Sequence, residues 1–372
     1  MEEIVGISIE SKERSASNEA KEFVKQSIVL DFFASPFGTG WTKPAELLDY
    51  LARARAAGVT GHSMTIAQAD DNWETFLKSH QQFRNTLLQD KEHVSFVHSV
   101  RDIEHAHGNG TTAVIWNSQS STILSGDLSR IAAIRECGIG TMQLVYNGRF
   151  RAGVGCIEAM NSPDTGLTDW GRAIIDEMVR QGIVLDLSHA SYKTTEDAIA
   201  HVKQKHSDVP VVYTHSIPAG LYKNEPDATE NGCYRNISDE QAQKAADTGG
   251  VVAPTFTEWM MDGVWPDDIT PLQCAQMVDY YANLVGVEHV GIATDDMMRL
   301  DLVLAFTKAN ASLYNDGGYM IAAFDKGAAG CGELSKIIAA VTDELWKMGY
   351  SNEDLEKFYG GNFMRVWDRV WT

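Results

Sequence analysis

Eight short apolar runs recur along the chain, and stretches with helical spacing separate them. A strand buried on both faces of a parallel sheet has this near-continuous apolar pattern. Strands that alternate with helices predict parallel neighbours joined by right-handed crossovers. Eight units predict a closed (β/α)8 barrel, an α/β fold; no GxGxxG or P-loop follows the first run to favour an open doubly wound sheet. The predicted strands are 28–33, 59–66, 112–116, 142–145, 183–187, 211–214, 250–254 and 289–294.

A single domain is predicted for residues 1–372, with an N-terminal extension over 1–25 and extra helices around the barrel. A chain of 372 residues would usually suggest two domains, but barrels with insertions reach this size. The sequence shows no internal repeats, low-complexity tracts or linkers. Its hydrophobic fraction of 44% is sufficient for one large core.

Charge and cysteine content restrict the partners and the compartment. The formal net charge of −20 at pH 7 argues against nucleic acids and anionic membranes, whose phosphates would repel the chain. The five cysteines are widely spaced and lack a CxxC pair, which fits a reducing cytoplasm better than a disulfide framework or a thiolate zinc cluster. No signal peptide or membrane-spanning run is visible. We therefore expect a cytoplasmic protein with a small-molecule partner, and homodimerisation stays open.

Three candidate metal ligands follow predicted strands. The run at 183–187 stops at Ser188-His189, the run at 211–214 stops at His215, and the last strand ends before Asp295. The carboxyl ends of barrel strands build the pocket, and two imidazoles with one carboxylate form a common ligand set for a catalytic divalent metal. Each histidine taken alone fits local hydrogen bonding equally well, and an aspartate at this position can also cap a helix.

Five stretches together resemble the membrane (renal) dipeptidase family, zinc barrels of the amidohydrolase superfamily. They are GLTDWGRAIIDEMVRQGIVLDLSH, PVVYTHS, RNISD, HVGIATDD and GGNFMRVW, and the resemblance extends roughly from Val29 to Val366. It implies that His189 and His215 hold one of the family's two zinc ions. It also implies that Asp295 ligates the other ion and relays protons.

The same resemblance assigns a substrate-binding pair. Arg235 and Asn236 match the family's RN pair, in which the arginine grips a substrate carboxylate. A guanidinium suits this role because it meets a carboxylate with two parallel charge-assisted hydrogen bonds. A surface ion pair is the alternative for Arg235.

Departures from the family pattern fall on other metal ligands. Phe33 and Ser35 stand where family dipeptidases carry a His-x-Asp, and Gln119 matches the bridging glutamate. Tyr146 stands where a histidine helps to hold the reacting carbonyl, so Tyr146 is a candidate for substrate binding and for assisting that carbonyl. A phenyl ring cannot bind a metal and a neutral amide bridges poorly. We therefore expect one divalent ion, zinc in the first instance, held by His189, His215 and Asp295 with Gln119 as a further candidate ligand.

The pattern as a whole looks like a divergent bacterial dipeptidase-like branch that lacks the His-x-Asp. Its loop glutamate is Glu158, a candidate ligand or general base that is equally well a solvated loop charge. His62 on the second strand can approach the pocket, although a packed, hydrogen-bonded histidine is the simpler interpretation. Cys156 lacks a paired histidine in its sequence context, so covalent catalysis is not predicted.

These residues predict a metal-dependent hydrolase, a dipeptidase-like metalloprotease, that cleaves an amide or related bond in a small carboxylate-bearing substrate. Water activated by the metal attacks, Asp295 moves the proton, Tyr146 assists the carbonyl oxygen and Arg235 fixes the carboxylate. Two alternatives stay open. One is a non-hydrolytic isomerase, tautomerase or lyase acting on a specialised metabolite; the other is a catalytically silent binding protein on the same scaffold.

Overall fold

Parallel strands form the centre of the molecule. The computed structural model describes residues 15–34, 44–221, 235–257, 260, 269–296, 309 and 333–371. Seven strands lie within these ranges: β1 Leu30–Ala34, β2 Gly61–Ala67, β3 Val94–Phe96, β4 Thr112–Ser118, β5 Ile139–Gln143, β6 Val184–Asp186 and β7 Val211–Val212. They pair in the order β1-β2-β4-β5-β6-β7, and all of these neighbours are parallel.

Two further segments complete the ring. The segment 250–254 lies beside β7, since Tyr213 N donates to Val251 O over 3.0 Å, and residues 290–294 follow, since Gly291 N donates to Val252 O over 3.0 Å. The ring closes where Phe32 N of β1 donates to Ile292 O over 3.2 Å. Eight parallel positions therefore surround one core, and the (β/α)8 expectation is confirmed.

Two strand predictions differ from the structure. The fourth predicted strand, at 142–145, corresponds to β5, which begins at Ile139 and ends at Gln143. Gly140 within it lies against Trp371, where an added Cβ would come within 2.4 Å of the indole ring. The run at 94–97, not counted among the barrel strands, forms β3, which pairs with the first residues of β4 on the same side as β5.

Helices occupy the connections between strands. In the described ranges they are α1 Asn18–Gln26, α2 Pro44–Ala56, α3 Trp73–Leu87, α4 Val100–Asn109, α5 Arg130–Glu136, α6 Glu158–Asn161, α7 Asp169–Gln181, α8 Tyr192–Lys205, α9 Asp239–Ala246, α10 Pro271–Val285, α11 Leu334–Lys347, α12 Asn352–Glu356 and α13 Asn362–Val370. None of these helices has the length and apolar character that a bilayer crossing requires.

Local sequence sets the limits of the helices around β6, the strand that precedes His189. Thr168 caps α7 by accepting a hydrogen bond from Gly171 N, and Gly182 ends it in the left-handed region with φ 72°. Ser191 caps α8 by accepting from Thr194 N. Side-chain N-caps and a left-handed glycine C-cap satisfy backbone groups that a helix end leaves unpaired. Both helices are thus held at defined residues beside β6.

The chain termini pack onto the barrel body. The ring of Phe23 in α1 lies 5.6 Å from that of Trp346 in α11, and the Phe363 ring of α13 stacks on Phe32 of β1 at 3.6 Å. The described part of the predicted 1–25 extension is therefore a packed helix from residue 18 onward. Its earlier part and the single-domain boundary over 1–372 stay predictions.

Candidate active site

Two buried imidazoles face each other after neighbouring strands. His189 lies three residues beyond the end of β6, and His215 lies three residues beyond the end of β7. Their Nε2 atoms are 3.2 Å apart, and both residues are buried. The sequence-based expectation that these two strands deliver their histidines to one place agrees with this geometry.

Hydrogen bonds fix the ring tautomer of His189. Its Nδ1 lies 2.7 Å from Oδ1 of Asn147, which follows β5. An amide oxygen only accepts, so Nδ1 carries the proton and Nε2 is unprotonated, with a lone pair that can accept. Arg235 Nε donates to that Nε2 over 3.2 Å.

A carboxylate and a hydroxyl fix the tautomer of His215. The Thr214 hydroxyl donates to Asp186 Oδ2 over 2.6 Å and lies 2.7 Å from His215 Nδ1. Because the hydroxyl proton is used on Asp186, the threonine oxygen accepts the Nδ1 proton of His215. Gln143 Nε2 also donates to Asp186 Oδ2, over 2.9 Å, and Ser188 N donates to Oδ1 over 2.9 Å. The Nε2 lone pair of His215 is therefore directed at His189.

Both imidazoles are neutral near physiological pH. Burial lowers the pKa of His189 well below its usual value, and the charges of Arg235 and His215 lower it further. Burial followed by the charge of Arg235 has the same effect on the pKa of His215. Desolvation disfavours the protonated ring, and a nearby guanidinium disfavours it again. Neutral imidazole is the form that binds metals.

Aromatic rings cover a face of each imidazole. Phe33 stacks on His215 with ring centroids 3.7 Å apart and planes 11° from parallel. Tyr146 lies against His189 at 4.0 Å with a tilt of 31°. These are the two positions at which the resemblance implies histidines, so the aromatic replacements restrict the orientation of the remaining imidazoles.

Arg235 belongs to the same cluster. It is only 2% exposed, and beyond its bond to His189 its Nη1 donates to Ser216 Oγ over 2.8 Å and its Nη2 to His215 O over 2.5 Å. The alternative interpretation of Arg235 as a member of a surface ion pair is therefore wrong. Among the described residues three of its five N–H groups have an acceptor, so two can serve another one.

Asp295 lies beside β1 in an unusual backbone conformation. Its N–H donates to Phe33 O over 2.8 Å, and its φ is +50°. His189, with φ +67°, is another of the three described non-glycine residues in the left-handed region. Such residues cost of order 1–3 kcal/mol each and concentrate at functional sites.

The carboxyl group of Asp295 is buried, and its pKa lies near neutral pH. Its Oδ1 is buried without a hydrogen-bond partner. Burial raises its pKa to about 7, the charge of Arg235 opposes the rise and that of Asp31 adds to it. A carboxyl group with this pKa can accept or donate a proton at physiological pH.

The imidazole pair fits one divalent cation. Ligands of a tetrahedral zinc ion at about 2.0–2.1 Å lie roughly 3.3 Å apart, close to the separation of the two Nε2 atoms. The Nε2 lone pair of His189 accepts from Arg235 Nε over 3.2 Å, so a cation bound by both imidazoles would replace that hydrogen bond. In the described ranges the group of three ligating side chains found within 4.8 Å of one another is Asp176, His201 and His206, so Asp295 does not complete such a set with the pair.

Other candidates from the sequence have different surroundings. Gln119 is buried after β4, where its N–H donates to Ala67 O, and Asn236 Nδ2 donates to Met260 O over 3.1 Å. Glu158 Oε1 accepts from Ser162 Oγ over 2.6 Å and lies 3.5 Å from Arg149 Nε. His62 is buried, and its Nδ1 lies 3.9 Å from Asp31 Oδ2. None of these contacts joins the imidazole pair, and the roles predicted for Gln119, Glu158 and Asn236 stay predictions. Ser35 lies outside the described residues.

Sequence reasoning missed the residues that orient the histidines. Asn147 directly follows Tyr146, and Thr214 directly precedes His215 in PVVYTHS, but the sequence alone assigned neither of them a role. Asp186 was read as part of an apolar strand. The available signal was a polar residue inside or directly after a buried strand, because a buried polar group requires a partner.

Comparison with known proteins agrees with the fold. The pattern of the Membrane dipeptidase (Peptidase family M19) family matches residues 44–298. The structure resembles that of an amidohydrolase from Pseudomonas aeruginosa with a TM-score of 0.78 and 26% identity, covering 95% of this chain and 99% of the other. The chain belongs to the membrane dipeptidase family, a family of dipeptidase-type hydrolases.

Two fungal relatives carry dipeptidase names. An uncharacterized dipeptidase of Schizosaccharomyces pombe is 27% identical over 208 residues, 56% of this chain and 41% of the relative. Dipeptidase aclJ of Aspergillus oryzae is 26% identical over 271 residues, 72% of this chain and 54% of the relative. The matched part thus spans about half the length of these two relatives.

Proposed function

We propose that this protein is a metal-dependent hydrolase that cleaves an amide bond in a small, carboxylate-bearing, dipeptide-like substrate. One divalent cation, zinc in the first instance, would be held by His189 and His215. The observation that carries the proposal is the 3.2 Å distance between the two Nε2 atoms, on imidazole rings whose tautomers are fixed by hydrogen bonds at Nδ1. Family membership supports the reaction class.

A bound divalent cation supplies Lewis-acid polarisation of the carbonyl and lowers the pKa of water. The protein's own groups would provide binding and proton transfer. Asp295, with its pKa near 7, would take the proton from the nucleophilic water and return it to the leaving amine. Arg235 would direct its two remaining N–H groups to the substrate carboxylate, and Tyr146 beside His189 would donate to the carbonyl oxygen.

A single ion is proposed because aromatic residues occupy positions that a second ion would use. The ring of Phe33 fills the space against His215, and a phenyl ring offers no donor atom. We retain the cytoplasm, a small-molecule partner without nucleic acid or membrane, and a possible homodimer as parts of the proposal.

A second candidate is a metal-free acid–base reaction such as isomerisation or elimination. It is favoured by the hydrogen bond of Arg235 Nε to His189 Nε2, the atom that a metal would need. In this case Asp295 would move the proton and the guanidinium would stabilise negative charge on the substrate.

A metal and activity assay separates the two candidates. Tag-free protein is stripped with a chelator, reloaded with Zn²⁺ or Mn²⁺, and tested on a panel of dipeptides in ¹⁸O-water. We expect metal-dependent cleavage with ¹⁸O in the product, lost in His215→Ala and retained in His105→Ala, an exposed histidine on α4. A protein that is inert on dipeptides with either metal overturns the hydrolase. Conversion without ¹⁸O uptake favours the second candidate.

A further inference from the structure

A second cluster of ligating side chains lies between two barrel helices. Asp176 of α7, His201 of α8 and His206 at the end of α8 offer ligand atoms within 4.8 Å of one another. Helix α8 starts just after His189, at the carboxyl end of β6, and a barrel helix runs back toward the amino ends of the strands. The C-terminal turn of α8 therefore lies at the end of the barrel opposite the imidazole pair.

Both imidazoles converge on one oxygen atom. His201 Nε2 and His206 Nε2 each lie 2.7 Å from Oδ1 of Asp176. The two rings are 6.1 Å apart between centroids and inclined by 69°, so they approach this oxygen from different directions. Two nitrogens and an oxygen are thus directed at one small volume.

Backbone geometry brings His206 into this position. Two residues five apart on a regular helix point about 140° away from each other. His206 leaves the helical region with φ −138° and ψ 53° while its N–H still donates to Val202 O over 2.7 Å. The side chain can therefore turn back toward Asp176 and His201 instead of pointing away.

We propose that Asp176, His201 and His206 form a divalent transition-metal site, with Zn²⁺ as its best match, that ties α7 to α8. Two imidazole nitrogens and a carboxylate oxygen are a zinc ligand set. On binding, each ring coordinates through Nε2 as its Nδ1–H tautomer, so the Nε2 proton moves to Nδ1, or to solvent from a ring that was doubly protonated. Each nitrogen–oxygen pair then opens by roughly half an ångström, to the spacing of tetrahedral ligands. Asp176 and His206 have side chains that are 37% and 21% exposed, so a water molecule can complete the coordination.

Local charge favours a cation at this position. Burial alone would raise the pKa of Asp176, but hydrogen bonds from His206, His201 and Lys205 outweigh it and hold the pKa below the usual value. The group is therefore a carboxylate at neutral pH. Lys205 Nζ, 3.3 Å from Asp176 Oδ2, is the one competing positive charge among the described contacts of this carboxylate.

Counting zinc ions in matched variants tests the site. Tag-free full-length protein is stripped of metal, titrated calorimetrically with Zn²⁺ and followed by thermal unfolding. We expect His206→Ala to hold one zinc equivalent fewer than wild type and to lose part of the zinc-induced rise in Tm. Dipeptide cleavage should be retained, as should the zinc ion that the proposed function places at His189 and His215. His105→Ala is the control for loss of a surface histidine.

Lys205→Gln should raise the zinc affinity of this site several-fold, because it removes the ammonium group beside Asp176 and keeps all three ligands. Equal zinc content and equal Tm shifts in wild type and His206→Ala overturn the proposal. So does an unchanged zinc affinity in Lys205→Gln. Loss of an equivalent in His206→Ala but not in His215→Ala supports this site and counts against a metal at the imidazole pair.

Discussion

The hydroxyl oxygen of Thr214 accepts a hydrogen bond from the imidazole of its neighbour, His215, over 2.7 Å. The same hydroxyl donates to Asp186, so a strand carboxylate controls the tautomer of a histidine through one intervening side chain. All three residues are buried. Outer partners of this kind keep the ligating nitrogen free and raise its basicity.

Replacement of Thr214 by valine tests this chain of hydrogen bonds. Thr214→Val removes the hydroxyl at nearly constant volume and leaves His215 Nδ1–H buried without an acceptor, a cost of about 1–3 kcal/mol. The ring can then exchange tautomers, and we expect zinc affinity and kcat/KM to fall by about 10- to 100-fold. Denaturant unfolding and competition with a chromogenic chelator measure the two effects. Thr214→Ser keeps the hydroxyl and should retain zinc affinity and kcat/KM near the wild-type values. Equal losses in the two variants would contradict the role of the Asp186–Thr214–His215 hydrogen bonds.

Asn147 has the corresponding role for His189. Asn147→Ala removes the acceptor of His189 Nδ1–H, so we expect a loss of zinc affinity of about 10- to 100-fold. Asn147→Asp retains an oxygen at the same position, and its charge should strengthen the bond to Nδ1 and raise the pKa of His189. Zinc affinity measured as a function of pH distinguishes the variants. The interpretation fails if the aspartate variant binds as weakly as the alanine variant.

The sequence predicts the barrel but not every strand boundary. Apolar runs at the correct spacing identified all eight ring positions, because strands buried on both faces carry that pattern. The fourth predicted strand, at 142–145, starts three residues later than β5, which begins at Ile139. In the structure Gly140 is required by contact with Trp371, 231 residues away along the chain. A local pattern cannot report a contact at that separation.

The candidate site was predictable only in part. Histidines that follow consecutive parallel strands must approach each other, and His189 and His215 do. The stack of Phe33 on His215 depends on side-chain directions that the sequence does not reveal. Likewise, the pairing of Glu158 with Ser162 and Arg149 depends on the path of a loop.

Two neighbouring carboxyl groups predict an unusual pH dependence of stability. Burial raises the pKa of Asp295 to about 7. Burial, together with the negative charges of Glu333 and Asp31, raises the pKa of Asp296 to about 8. Both folded-state values exceed the usual value of 3.8, so the folded protein binds more protons than the unfolded chain between pH 4 and 8. The free energy of unfolding of metal-free protein should therefore decrease as pH rises across this window.

The decrease should amount to several kcal/mol, since each pKa unit corresponds to about 1.4 kcal/mol. Urea unfolding in the presence of a chelator at a series of pH values measures it. Asp296→Asn should flatten the profile, because an amide does not titrate, and Asp295→Asn should flatten its lower part. A wild-type profile that is flat or rises between pH 4 and 8 would contradict the assignment.

Arg235 allows carboxylate binding to be separated from metal binding. Its Nε is bonded to His189 Nε2 and its Nη atoms to Ser216 and His215 O, so the guanidinium is held in place before substrate arrives. Arg235→Lys retains the charge but cannot form this fork. For a dipeptide with a free carboxylate we expect KM to rise about 10- to 100-fold in Arg235→Lys, and more in Arg235→Ala, because charge-assisted hydrogen bonds contribute about 1.5–3 kcal/mol.

A dipeptide amide provides the matched substrate, since it has no carboxylate for Arg235 to bind. Its KM should change little in either variant, and kcat for both substrates should fall less than kcat/KM for the free dipeptide. Zinc affinity should rise in Arg235→Ala, because the variant lacks a positive charge 3.2 Å from His189 Nε2. Equal increases in KM for the free and the amidated dipeptide would show that Arg235 supports the imidazole pair and does not bind the carboxylate.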